Sequence, residues 1–151
     1  DVSRLAGLDG GAKMSKSLGN AVYLKDSPEE VSAKVMTAVT DPARVRRNDP
    51  GHPEVCTVFS WQKAFNPAEV PDIEASCMAG SIGCVACKKN LASVLNRLLE
   101  PIRERRAAYD RPGVVEEILM AGTDAARREG EATMGEVREA MKIDYFREGR
   151  L

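Results

Sequence analysis

The sequence holds a single histidine, His52, in 151 residues. With no second histidine to pair with, and set among prolines in a loop, His52 reads as a surface residue rather than a metal ligand or a catalytic base. An excess of either charge is also missing. Lys and Arg number 22 against 23 Asp and Glu, for a formal charge of -1, so no global positive field gathers nucleic acid, and any RNA contact must use a local patch. No apolar run is long enough to span a membrane. There is no charged-then-apolar leader, no internal repeat and no long low-complexity tract. The length suffices for one ordinary domain, or for a small domain with an appendage.

What the chain does have begins with its first loop, Gly11-Ala12-Lys13-Met14-Ser15-Lys16-Ser17-Leu18-Gly19-Asn20. Two lysines three apart, each followed within two residues by a serine and flanked by glycines, form a strip of ammonium and hydroxyl donors suited to phosphate oxygens. A Lys is a point charge on a long flexible stem, able to follow a phosphate as charge builds during bond breaking. Taken as five residues alone, the strip would equally suit a solvated surface loop.

Residues 1–26 show no helical periodicity, and Asp9-Gly10-Gly11 marks a turn. A first helix is predicted from Ser27-Pro28-Glu29-Glu30, where Ser27 caps, Pro28 opens and Glu30 completes a capping box. Val31, Val35 and Val39 give it an apolar face, and Asp41-Pro42 is the expected stop. Residues 54–65 read as a second helix with Val55, Val58, Phe59 and Phe65 facing a core, and Trp61 as packing or as a base-stacking platform. After Asn66-Pro67 and Pro71 a short helix is expected over 73–78. A long helix follows from Cys84, with Leu91, Val94, Leu95, Leu98, Leu99 and Ile102 on its apolar stripe and Pro101 as a kink. Beyond the turn Asp110-Arg111-Pro112-Gly113, Val114 or Val115, Ile118, Leu119 and Ala125 support another helix. Residues 133–141 form a last one or its continuation, with Gly122 and Gly130 blurring the boundary. Two basic clusters, Arg44, Arg46, Arg47 and then Arg103, Arg105, Arg106, are either solvated faces or RNA phosphate contacts.

All four cysteines lie between positions 56 and 87: Cys56, twenty residues to Cys77, six to Cys84 and two to Cys87. That concentration, with a Cys-x-x-Cys pair, is a chelating arrangement. Zinc takes four thiolates tetrahedrally, and a 4Fe–4S cluster takes four at its iron corners with irregular spacing tolerated. Spacing alone does not separate the two. Disulfides or four free thiols are weaker alternatives.

The first loop, with Ala21-Val22-Tyr23-Leu24-Lys25-Asp26 after it, resembles the KMSKS loop region of class I aminoacyl-tRNA synthetases. Its wording, Lys-Met-Ser-Lys-Ser-Leu-Gly-Asn, is most similar to the bacterial tryptophanyl-tRNA synthetases. The stretches Thr40-Asp41-Pro42, Asp49-Pro50-Gly51, Pro53-Glu54-Val55-Cys56 and Leu99 to Arg106 also look like that family. The resemblance implies a mainly α fold: residues 1–26 as the end of a Rossmann-like catalytic domain carrying the KMSKS loop, then 27–151 as a helical anticodon-binding bundle with a four-cysteine metal site. The family's other ATP motif, a His-x-Gly-His element, should lie far upstream and is absent from these residues. With Asp1 rather than Met as first residue, the chain is expected to be the C-terminal part of a longer enzyme, inactive alone.

By the same resemblance the activity is that of a tryptophan–tRNA ligase, which activates tryptophan with ATP and Mg and transfers it to tRNA(Trp). Lys13 and Lys16 are the implied catalytic residues, and Lys13, Met14, Ser15, Lys16 and Ser17 the implied ATP contacts. Arg44, Arg46, Arg47, Arg103 and Arg106 are candidate tRNA contacts. Some bacterial members carry a 4Fe–4S cluster with similar spacing, which favours iron–sulfur over zinc on Cys56, Cys77, Cys84 and Cys87. The implied setting is a homodimer in a reducing cytoplasm. The contrasting reading is a non-enzymatic metal-binding RNA or protein interaction domain, or a diverged synthetase paralogue.

Overall fold

The computed structural model of the chain describes residues 5–11 and 13–143; the unassigned tail, 145–151, lies outside them. Among the described residues there are five α-helices and no strand: α1 Pro28–Thr37, α2 Thr57–Phe65, α3 Val70–Met78, α4 Cys84–Tyr109 and α5 Val114–Ala140, with a 3-10 turn at Pro53–Val55. The chain divides into two compact units, residues 1–104 and 105–151.

Helix α1 starts where its cap predicts. The Ser27 hydroxyl accepts from Glu30 N at 3.1 Å and the Glu30 carboxylate accepts from Ser27 N at 2.8 Å, a reciprocal box that satisfies two orphan donors. Val31 and Val35 are buried, but the helix stops before Val39. Val39 N donates instead to the Leu8 carbonyl at 2.8 Å, and its side chain is exposed. The backbone of the first loop thus competes for the position that the valine spacing assigns to the helix.

Residues 54–65 divide at Cys56. Val55 sits on the 3-10 turn and is exposed, while Val58, Phe59 and Trp61 on α2 are buried. Trp61 is 2% exposed, donates Nε1 to the Ala6 carbonyl at 3.0 Å and stacks obliquely on Phe65, so it packs rather than offering a face to a base. Helix α3 begins at Val70, earlier than the expected 73, because Pro71 is tolerated in a first turn where its missing N–H is not needed. Helix α4 runs through Pro101, and Leu91, Val94, Leu95 and Leu99 are buried while Leu98 faces water.

One core results. Leu8, Val31, Val35, Ala38, Val58, Trp61, Leu91, Ala92, Leu95 and Leu99 form a single buried cluster, with Leu5, Met14, Val22, Cys56, Phe65, Cys87 and Ile102 packed against it. The first loop therefore shares the core of the helices. A second tie lies at Asp26, 3% exposed, which accepts from Tyr23 N at 2.7 Å and from Lys34 Nζ at 2.6 Å. Its backbone carbonyl accepts from Arg103 Nε at 2.8 Å.

In the second unit, α5 is one helix of 27 residues through both Gly122 and Gly130. Its large apolar side chains, among them Ile118, Leu119 and Met134, are exposed.

Candidate functional site

The loop of residues 13–20 is organised by a side chain that the lysine pattern did not single out. Asn20 is 5% exposed; its Oδ1 accepts from Ser15 N at 2.8 Å, and its Nδ2 donates to Asp9 Oδ2 at 2.9 Å and to the Lys13 carbonyl at 3.4 Å. The Asn20 carbonyl accepts from Leu8 N at 2.8 Å. A short antiparallel bridge joins Ala6 and Lys13. Gly7 makes room for this knot, since a Cβ there would strike the Asn20 side-chain amide. Asn20 could have been suspected as an Asx residue closing a turn, yet only the fold brings Asp9 to it.

Above that base the four central groups are arranged for donation. Lys13 and Lys16 are exposed, and the Ser15 and Ser17 hydroxyls lie 2.9 Å apart. Met14 turns inward onto the core cluster. The turn closes with Gly19 N on the Lys16 carbonyl at 3.3 Å. Two ammonium groups and two hydroxyls on a strip anchored from below are donors of the kind that suit phosphate oxygens.

The second assembly is the four cysteines. Cys56 at the junction of the 3-10 turn and α2, Cys77 on α3 and Cys84 and Cys87 on α4 come together in the lining of one cavity, shared with Thr40, Arg44, Val58, Phe59, Ile73 and Ile82. All four are free thiols and partly buried. Among the described residues no three His, Cys, Asp or Glu side chains form a ready single-ion site. Burial pushes the Cys87 thiol up to about 11, opposed by the hydrogen bond from Gln62. Burial also raises Cys77, opposed by the Arg44 guanidinium. Both thiols are protonated at neutral pH, and any metal that binds must displace those protons.

Two polar side chains attend the sulfurs. Arg44 Nη1 lies 3.8 Å from Cys77 Sγ and from Cys84 Sγ, while its Nη2 donates to the Arg47 and Ile82 carbonyls at 2.6 Å each. Arg44 Nε is buried and, among the described residues, meets no acceptor. Gln62, fully buried, reaches Cys87 Sγ at 3.9 Å and Asn90 Oδ1 at 2.9 Å, and Asn66 Nδ2 donates to its Oε1 at 3.1 Å. A glutamine four residues after Val58 on an apolar helix stripe is a signal for such a buried network. Gly51 lies against Cys77: its N donates to the Cys77 carbonyl at 2.9 Å, and a Cβ on it would sit 2.5 Å from Cys77 Sγ.

The arginine segment after α1 forms a bend. Asp41, 5% exposed, accepts from Ala43 N, His52 N and His52 Nδ1 at 2.8–2.9 Å; the His52 hydrogen bond holds its carboxyl below the usual range. His52 is thus exposed but partnered. Beside the bend is a groove of about 550 Å³ lined by Thr40, Arg44, Val45, Arg46, Arg47, Gly83, Cys84, Val85, Ala86 and Lys89, with no acidic residue. Arg46 and Arg47 are exposed and, among the described residues, form no ion pair. Arg103 is engaged: besides the Asp26 carbonyl it donates to Asn96 Oδ1 at 2.7 Å and Glu100 Oε2 at 3.0 Å. Arg106 stands on the exposed end of α4 in the second unit.

Residues 2–100 match the family model described as tRNA synthetases class I (W and Y). The chain is 48% identical over 146 residues to the tryptophan–tRNA ligase of Aquifex aeolicus, covering 95% of this chain and 37% of that protein. It is 43% identical over 147 residues to that of Thermotoga maritima, covering 95% and 44%. The chain thus spans less than half the length of these relatives. Among solved structures, tryptophanyl-tRNA synthetase from Campylobacter jejuni, complexed with ADP and tryptophan, superposes with a TM-score of 0.79 at 26% identity, over 94% of this chain and 44% of that one.

Proposed function

Because this chain belongs to the class I tRNA synthetases of the tryptophan and tyrosine group, we propose that it is the C-terminal part of a tryptophan–tRNA ligase. In that enzyme ATP, with Mg, activates tryptophan, and the aminoacyl group passes to tRNA(Trp). The observation that carries this reading is the loop itself, two exposed lysines and two hydroxyls braced from below by a buried Asn20. Lys13 and Lys16 hold the ATP phosphates, and Lys16 stabilises the departing pyrophosphate as its charge grows. Ser15 and Ser17 donate to phosphate or steady the closed loop, and Met14 supports the strip from the core. Residues 1–26 close the catalytic domain, and 27–151 form the anticodon-binding region. Arg46 and Arg47 are the foremost tRNA-facing cations, with Arg44 bracing their segment from behind and Arg106 on its own unit as a further one. Arg103 acts first as the tie between α4 and Asp26. The whole enzyme works as a homodimer in the cytoplasm, where thiols stay reduced.

Cys56, Cys77, Cys84 and Cys87 hold a 4Fe–4S cluster on this reading. The fit rests on the donor set: four thiols line one cavity, and the Arg44 guanidinium lies with Nη1 3.8 Å from Cys77 Sγ and Cys84 Sγ while its buried Nε–H, among the described residues, meets no acceptor. The same four thiolates would hold zinc tetrahedrally as the alternative. Through Cys56 before α2, Cys77 on α3 and Cys84 and Cys87 on α4, these residues would tie three helices together around the group, whose part would be structural rather than redox. Iron, sulfide and zinc analysis with a visible spectrum separates the two occupants.

The test of the activity is Lys16→Ala in the full enzyme. Contacts that strengthen in the transition state show in kcat, so kcat falls far more than KM for ATP rises. Equal effects on the two overturn that role. Cys84→Ser should lose the cluster and weaken tRNA binding while tryptophan-dependent pyrophosphate exchange persists.

A further inference from the structure

The four-cysteine cavity and the basic groove are neighbours with a shared wall. Thr40, Arg44 and Cys84 line both. Of these, Arg44 bonds to residues on both sides. Its Nη1 lies 3.8 Å from Cys77 Sγ and Cys84 Sγ, whereas its Nη2 fastens the Arg47 and Ile82 carbonyls at 2.6 Å. Arg47 belongs to the segment that gives the groove its charge, and Ile82 leads into the first turn of α4, which forms the groove's other side.

We propose that Arg44 is the strut through which a filled four-cysteine site holds the basic groove in its RNA-binding shape. The inference rests on the ligase and cluster reading given above, and it adds the residue that joins the two functions. The Arg44 Nε–H is buried and, among the described residues, meets no acceptor; an unmade bond of that kind favours rearrangement. Cys56, Cys77, Cys84 and Cys87, holding an iron–sulfur cluster as thiolates, would present negative charge and sulfur acceptors to a guanidinium that already lies 3.8 Å from two of the sulfurs. Fixed there, its Nη2 pins the backbone at Arg47 and at Ile82, so the spacing between the arginine bend and the start of α4 is set. The occupant of the groove is the tRNA phosphate backbone, because Arg44, Arg46, Arg47 and Lys89 line it and no acid does. Arg44 is therefore a positioning residue that acts on RNA through the groove.

The experiment uses the full-length enzyme in two forms, as the iron-loaded protein and after iron removal by oxidation and chelation. Binding of tRNA(Trp) is measured for wild type, Arg44→Met and Arg44→Lys, with iron content, helix content and the midpoint potential of the cluster recorded for each. Wild type should lose about tenfold in tRNA affinity when iron is removed. Arg44→Met should keep its irons, bind tRNA as weakly as iron-free wild type, and lose nothing further on iron removal. Its cluster should be harder to reduce by about tenfold, 59 mV for one electron, because a cation beside the sulfurs is gone. Arg44→Lys should restore the potential but not the affinity, since an ammonium keeps the charge without bridging two carbonyls and two sulfurs. Losses from iron removal and from Arg44→Met that add, or full affinity in Arg44→Lys, would overturn the strut while leaving the cluster standing. A wild-type enzyme that takes up no iron overturns the cluster reading and the strut with it, and the iron content alone reports that case.

Discussion

Replacing Asn20 probes whether the loop works because it is braced. Asn20→Ala removes two well-formed hydrogen bonds, at 2.8 and 2.9 Å, and one marginal bond at 3.4 Å, while the Leu8 N to Asn20 carbonyl bond stays. One bond is between neutral groups and one reaches a carboxylate on exposed Asp9, so the loss is about 2–3 kcal/mol, or roughly 30- to 140-fold in the population of the ordered loop. Asn20→Asp has nearly the same shape but sets a second carboxylate where the amide now donates to Asp9 Oδ2. Two such charges near a protein surface repel by on the order of 4 kcal/mol, part of which Asp9 relieves by swinging into water. The isosteric change should therefore be the more damaging by about tenfold. The assay is pyrophosphate exchange in the full enzyme at saturating ATP, with the melting temperature recorded in parallel. Exchange should fall in both variants, further in Asn20→Asp, and added salt should recover part of the aspartate defect and none of the alanine defect. If Asn20→Asp matched or exceeded Asn20→Ala, or if melting dropped in step with activity, the brace would not be what the loop needs.

Other outcomes follow from the packing and the charges. Leu91, with no exposed surface in the core cluster, should cost about 2–5 kcal/mol as Leu91→Ala, against a few tenths for Leu98→Ala on the wet side of α4; denaturant midpoints measure both. Asp41 has a lowered carboxyl pKa in the folded state, so its contribution is complete above the unfolded value of about 3.9 and is lost as pH falls through the folded value. Asp41→Asn should accordingly flatten the acid limb of a stability-against-pH curve below about pH 4. Gly51→Ala drives a methyl to 2.5 Å from Cys77 Sγ and 3.2 Å from the Cys77 carbonyl, and should abolish iron uptake at nearly unchanged helix content by circular dichroism.

Local chemistry in the chain determined a good deal. Ser27, Pro28 and Glu30 set the start of α1, Asn66 ended α2, and the leucine spacing of α4 named its buried side except at Leu98, because caps and periodicity act within a few residues. The lysine and serine strip and the clustering of cysteines were likewise plain in the sequence. Tertiary structure decided what depended on distant partners. Val39 left its helix for the Leu8 carbonyl, Trp61 turned inward to Ala6, and Pro71 stayed within a first turn. Asn20 met Asp9 and Lys13 under the loop, and Gln62 reached Cys87 and Asn90 across the core. Arg44 read in sequence as one basic residue among three; folded, it stands between the cysteines and the groove, with carbonyls from residues 47 and 82 on one guanidinium nitrogen. Such placements come from long-range contacts, whose selection depends on burial and on satisfying every buried donor at once, and no window of neighbouring residues encodes that condition.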